Sequence, residues 1–202
     1  DLALSVAGRM LVSGLDLEVR AGECWVVIGP NGAGKTTLLT ALAGLRAAQA
    51  GAIAYDGTPL AALGLRERAR RRGFLPQDSV DHFPASVLET ALVGRHPHLS
   101  RWQWESAADI DRARAALSTF GLAGLDDRDA RTLSGGERRR LALAALVAQD
   151  SGLLLLDEPS SHLDLGAQVA ALDTVAALAH NEGKAIVMVL HDLHLALRYA
   201  DH

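Results

Sequence analysis

Nine consecutive residues, Gly29-Pro30-Asn31-Gly32-Ala33-Gly34-Lys35-Thr36-Thr37, leave this chain few folds to choose from. They fit the pattern G-x-x-x-x-G-K-S/T, and they stand in the setting that gives it meaning. The apolar run Trp25-Val26-Val27-Ile28 precedes them, and a helical stretch from Thr36 to Ala43 follows. Glycines in such a loop let successive backbone N–H groups turn inward around a β-phosphate with no side chain in the way. The helix N-terminus adds positive potential. Lys35 is placed to neutralise the β- and γ-phosphates, and the Thr36 hydroxyl to ligate Mg2+. The loop is expected to bind a nucleoside triphosphate.

A second apolar run, Leu153 to Leu156, ends in Asp157-Glu158-Pro159, and a third, Ala185 to Leu190, ends in His191. Continuous apolar runs of this length, unlike alternating ones, indicate strands of a parallel sheet covered on both faces. Ligands of such sheets sit beyond the carboxyl ends of the strands, where these polar residues fall. Asp157 would hold Mg2+, directly or through water. Glu158 is placed to orient or deprotonate an attacking water. Leu2 to Arg20 alternates with period two and reads as antiparallel strands. From about Leu88 to Leu125 the pattern is helical, with Ile110, Ala113, Leu117 and Phe120 on one face and Gly121 as the stop. The expected fold is α/β: a phosphate-loop NTPase core with a parallel sheet, an N-terminal antiparallel β subdomain and an inserted helical lobe. The core would comprise 1–87 and 151–202, and the lobe about 88–150.

The 202 residues suit one domain with an inserted lobe, and 49% hydrophobic content supports a sizeable core. Net charge is −4, which gives no basic footprint for nucleic acid. The single cysteine, Cys24, fits a reducing compartment. No apolar stretch reaches the length of about 18 residues that a membrane-spanning helix needs, and residues 1–7 lack a signal-peptide pattern. Any membrane role must come through a partner.

Leu133-Ser134-Gly135-Gly136-Glu137 reads first as a helix start, with Ser134 and Glu137 forming a capping box. Gly135 and Gly136 leave the helix end uncovered, so it can face an anion. Placed between a phosphate loop and an acidic strand end, this segment resembles the signature motif of the ABC ATPase family. The resemblance covers nearly the whole chain and implies an ATP hydrolase. It implies that the Ser134–Glu137 tip contacts the γ-phosphate held by another copy, so the working unit is a homodimer in ATP. It also implies that Gln77, in Phe74-Leu75-Pro76-Gln77, reaches the Mg2+ and water. Ser161, Leu163 and Asp164, around His162, would make dimer contacts, and His191 would contact γ-phosphate.

The family usually stacks adenine on an aromatic residue upstream of the loop. None occurs from Asp1 to Cys24; Val6 and Arg9 lie near the expected place, and weak selectivity for ATP over GTP is expected. Family members usually continue with further strands after His191, which suggests a shortened C-terminus.

The segment from Val87 to Leu99 and the tail from Val189 to His202 resemble the ATPases of importers for iron–siderophore, haem and cobalamin chelates. That likeness implies integral-membrane permease subunits as partners and a periplasmic or surface binding protein indirectly. The chain would sit on the cytoplasmic side of the cell membrane. Residues 79–95 are the expected permease-docking surface, and the arginines between 66 and 72 a solvated helix face. ATPases of other ABC transporters, and less so non-transport ABC ATPases, remain alternatives. The latter carry long coiled-coil insertions, zinc modules or tandem cassettes, none of which this sequence has.

Overall fold

The computed structural model describes residues 1–77 and 84–202. The chain opens with an antiparallel hairpin, β1 (Leu2–Val6) and β2 (Arg9–Leu15), as the period-two pattern indicates. Ala7 and Gly8 both take positive φ at its turn, the backbone that tight hairpins need. Strand β3 (Cys24–Val27) then leads into helix α1 (Lys35–Leu42). A small hairpin of β4 (Ala54–Tyr55) and β5 (Thr58–Pro59) follows, then α2 (Leu65–Arg71) and β6 (Arg72–Leu75). Three helices come next: α3 (Val87–Leu92), α4 (Ala107–Thr119) and α5 (Gly135–Ala148). The chain returns through β7 (Leu153–Asp157), α6 (Leu165–Glu182), β8 (Ala185–Val189) and α7 (Leu193–Tyr199).

The central sheet has the order β3-β8-β7-β6, and every pairing in it is parallel. Strands β3, β8 and β7 as far as Leu156 are apolar because both faces are covered, whereas β6 opens with Arg72. Leu155, Val187 and Val189 point to one face, against Leu39 of α1 and Ala43 at its C-cap. Leu154, Leu156, Ile186 and Met188 point to the other, against Leu143 and Leu146 of α5 and Leu172 and Val175 of α6. The alternation follows from the two-residue period of side chains along a strand. All four strands run the same way, so the loops after β3, β6, β7 and β8 gather at one edge of the sheet.

The helices between β6 and β7 begin on side-chain caps. Ser86, Ser106 and Ser134 each accept from the amide three residues on, and Glu89, Asp109 and Glu137 answer them in capping boxes. On α4 the expected face is the buried one, with Ala113, Leu117 and Phe120 inside and Ile110 half-buried. Gly121, at φ 68°, stops the helix.

Two expectations need correction. Residues 79–83 of the expected docking surface, and with them His82, lie outside the described residues, and the surface does not continue to Arg95. Gly94 and Arg95 are buried. A Cβ on Gly94 would lie 2.1 Å from the Ala145 carbonyl oxygen, so only glycine lets this segment meet α5. Arg95 bonds Asp109 Oδ1 at 2.8 Å and the Ala148 carbonyl at 2.8 Å.

The basic run is also more than a solvated face. Arg68 donates to Leu63 and Gly44 carbonyls, Arg70 to Pro97, Arg71 to Tyr55 and Arg72 to Ala43. Arg72 and Arg68 thereby cap carbonyls at the end of α1.

Candidate functional site

The phosphate loop joins β3 to α1 as the sequence indicates. Gly29, Gly32 and Gly34 take φ of 154°, 76° and 99°, a backbone that side chains rarely permit. Gly34 occupies the cap position of α1 and brings no capping side chain, so the first amides of the helix keep their positive end for a ligand. A Cβ on Gly34 would press on Leu11 Cβ at 3.0 Å. Lys35 Nζ donates to the carbonyls of Gly29 at 2.7 Å and Pro30 at 3.1 Å, which holds the ammonium over the loop.

The acidic strand end lies two strands away, with the end of β8 between them. Asp157 is completely buried, and neither carboxylate oxygen has a hydrogen-bond partner among the described residues. A buried carboxylate in that state is costly unless a cation sits against it. Thr36 and Gln77 face the cleft nearby. Magnesium takes oxygen donors from one or two protein groups plus substrate phosphates, so this donor set fits the ion. Among the described residues no cluster of three or more histidines, cysteines or acids offers an all-protein metal cage.

Glu158 has φ 51°, a left-handed backbone uncommon outside glycine. Its Oε1 lies 2.5 Å from His191 Nε2, at the end of β8. The acid and the histidine named from the sequence are therefore in direct contact.

A cleft of about 700 Å3 runs across this edge. Asn31, Gly32, Gly34, Lys35, Thr36 and Thr37 line it from one side, and Gln77, Glu158 and His191 from the other. Val6, Arg9 and Leu11 of the first hairpin also line it. Asp157 lies buried rather than on the cleft surface. Ser134, Gly135, Gly136 and Glu137 do not line the cleft. Their capping box is intact: Glu137 accepts from Ser134 N at 2.7 Å and donates its amide to Ser134 Oγ at 3.2 Å. The bond from the Ser134 backbone, then the one from its hydroxyl, holds the Glu137 carboxyl below its ordinary range. Of the expected dimer contacts, Leu163 is buried in the core and Asp164 caps α6 through Ala167 N. Ser161 Oγ is buried without a partner among the described residues.

One participant was hidden in the sequence. Arg139, the middle of three arginines after the glycine pair, is buried and bonds the carbonyls of both strand ends that carry Gln77, Asp157 and Glu158. A charge run gives no signal of which member turns inward.

Among the described residues no helix is long and apolar enough to cross a membrane. The family described as ABC transporter matches residues 12–161. The chain is 47% identical over 193 residues to a hemin import ATP-binding protein of Myxococcus xanthus, covering 92% of this chain and 71% of that one. It is 40% identical over 201 residues to a cobalamin import ATP-binding protein of Halobacterium salinarum, of which it spans only 50%. A solved metal-chelate type ABC transporter in an inward-facing conformation superposes with a TM-score of 0.84 at 29% identity, over 99% of this chain and 74% of that one.

Proposed function

The chain belongs to the ABC transporter family, and from that premise we infer that it is the ATP-hydrolysing subunit of an importer for a metal chelate such as haem, cobalamin or an iron–siderophore. The import role is supported by the likeness to hemin and cobalamin import proteins. One observation carries the chemical reading: the phosphate loop, Gln77, Glu158 and His191 share one cleft, while the Ser134–Glu137 tip lies outside it. A tip built to face an anion but absent from its own cleft is available to the triphosphate of a second copy.

In this reading, Lys35 leaves the Gly29 and Pro30 carbonyls for the β- and γ-phosphates, and the loop amides and α1 hold the rest of the charge. Mg2+ would be held by Thr36 and Asp157, with Gln77 reaching it, and would neutralise charge on the phosphates. Glu158 orients a water and takes its proton as the water oxygen attacks the γ-phosphorus and the bond to the β-phosphate oxygen breaks. His191, hydrogen-bonded to Glu158, holds that acid in place and faces the leaving phosphate. Phosphoryl transfer needs little beyond position and charge, which is what this cleft supplies.

The working unit is a head-to-tail homodimer on permease subunits at the cytoplasmic face of the membrane. A substrate-binding protein acts outside, through the permease.

The expected outcome for Glu158→Gln is that ATP binding survives, turnover is nearly lost, and a dimer accumulates at saturating MgATP. Light scattering or analytical ultracentrifugation checks it. A strictly monomeric variant at saturating MgATP, also in the presence of its permease, would overturn the shared-site reading. Wild-type turnover in the variant would overturn the assignment of the acid.

A further inference from the structure

We propose that Arg139 is a positioning residue for hydrolysis, fixing from α5 the placement of the two strand ends that carry Gln77 and the Asp157–Glu158 pair. The proposal rests on the reading of Glu158 as the water-activating acid.

Arg139 sits on the second turn of α5, buried beneath the exposed tip. Its Nη1 donates to the carbonyls of Pro76 at 2.8 Å and Gln77 at 3.1 Å, just past the end of β6. Its Nη2 donates to the carbonyls of Asp157 at 2.6 Å and Glu158 at 2.7 Å, at the end of β7. Nε donates to the Pro159 carbonyl at 3.2 Å. Arginine has five N–H donors in a planar fork, and here each meets a carbonyl. Lysine, with three donors on a point-like head, cannot reproduce the set.

The contact does more than fill space, because three of the five acceptors are the peptide oxygens of Asp157, Glu158 and Pro159. Three hydrogen bonds hold the left-handed backbone of Glu158: its amide donates to the Val189 carbonyl at 3.2 Å, and its carbonyl accepts from the Ser161 amide at 3.0 Å and from Arg139 at 2.7 Å. Such a backbone persists in a non-glycine residue only where the surroundings fix it. Without the guanidinium, the segment can relax to an ordinary φ and carry the carboxylate away from the attacking water. Arg139 also belongs to the helix whose first turn is the Ser134–Glu137 tip. A pull on that tip reaches Glu158 through one side chain.

The test compares steady-state ATP hydrolysis, equilibrium MgATP binding and thermal melting for wild type, R139M, R139K and E158Q in the full chain. R139M is expected to lower kcat by about 100-fold, the loss that a misplacement near 1 Å produces, with an unchanged Kd for MgATP. R139K is expected to fall between R139M and wild type, again at unchanged Kd. Wild-type kcat in R139M overturns the proposal. So does a parallel loss of kcat and binding in both variants, which marks a role in folding alone. If R139M does not fold, R139K decides: reduced kcat at unchanged Kd supports the proposal, and wild-type kcat or loss of both overturns it. E158Q separates the two layers. An inactive E158Q beside a fully active R139M removes only the role of Arg139, whereas an active E158Q removes the reading it rests on.

Discussion

At the scale of single residues, the hairpin side of the cleft bears on which base the proposed site would take. Val6, Arg9 and Leu11 line the cleft, and none offers an aromatic ring for a base to stack on. An apolar wall with a guanidinium grips any purine by its face and reads few of its edges. ATP and GTP are therefore expected to be hydrolysed with kcat/KM values within about ten-fold, a gap of about 1.4 kcal/mol. Competition kinetics with both nucleotides checks this, and a preference far above that range would mean an edge-reading contact elsewhere.

The loop glycines, Lys35, Asp157, Glu158 and His191 were legible in the sequence because each is demanded by type at a fixed place after a strand. Val6 and Arg9 were placed near the base from the sequence as well, but Leu11 and Arg139 were not. Their roles depend on which way a side chain turns once distant strands have met, and spacing along the chain carries no record of that.

At the scale of elements, periodicity served long segments well and short ones poorly. The face of α4 and its stop at Gly121 could be read directly. Strand β6, Arg72-Gly73-Phe74-Leu75, was not read as a strand: four residues with a charge and a glycine carry no pattern. It exists because it pairs in parallel with β7, and because Gly73 lets α5 come close, a Cβ there meeting Leu146 Cδ1 at 2.6 Å.

The Gly94–Arg95 segment is held in the same way. Arg95 and Asp109 form a buried pair that joins the start of α4 to the end of α5. Arg95→Met is expected to destabilise the fold by about 3–5 kcal/mol, since it takes the cation from a buried carboxylate and leaves it the bonds from Ser106. Urea denaturation at pH 7 measures it. The Ser106 hydroxyl first, and then the Arg95 guanidinium, holds the Asp109 carboxyl well below the usual carboxylate range. A depressed pKa gives stability that is complete above the unfolded value near 3.9 and lost as pH falls below it. The gap between variant and wild type should therefore narrow in acid.

At the scale of the whole molecule, the described residues gather the candidate ATP-splitting groups into one cleft. In the proposed role, the transported solute is read by the permease and its binding protein. Reconstituted with its permease, the chain is expected to hydrolyse ATP faster when the matching chelate, loaded on its binding protein, is supplied. Haem, cobalamin and ferric siderophores tested in parallel identify the cargo, and stimulation by none of them would count against chelate import. Because all four strands of the central sheet finish at one edge, chemistry is confined to a single rim. The opposite rim has only to stay still. Labels, surface charges or a tether for a sensor placed there should leave catalysis undisturbed, so the molecule offers engineers a quiet underside and a working top.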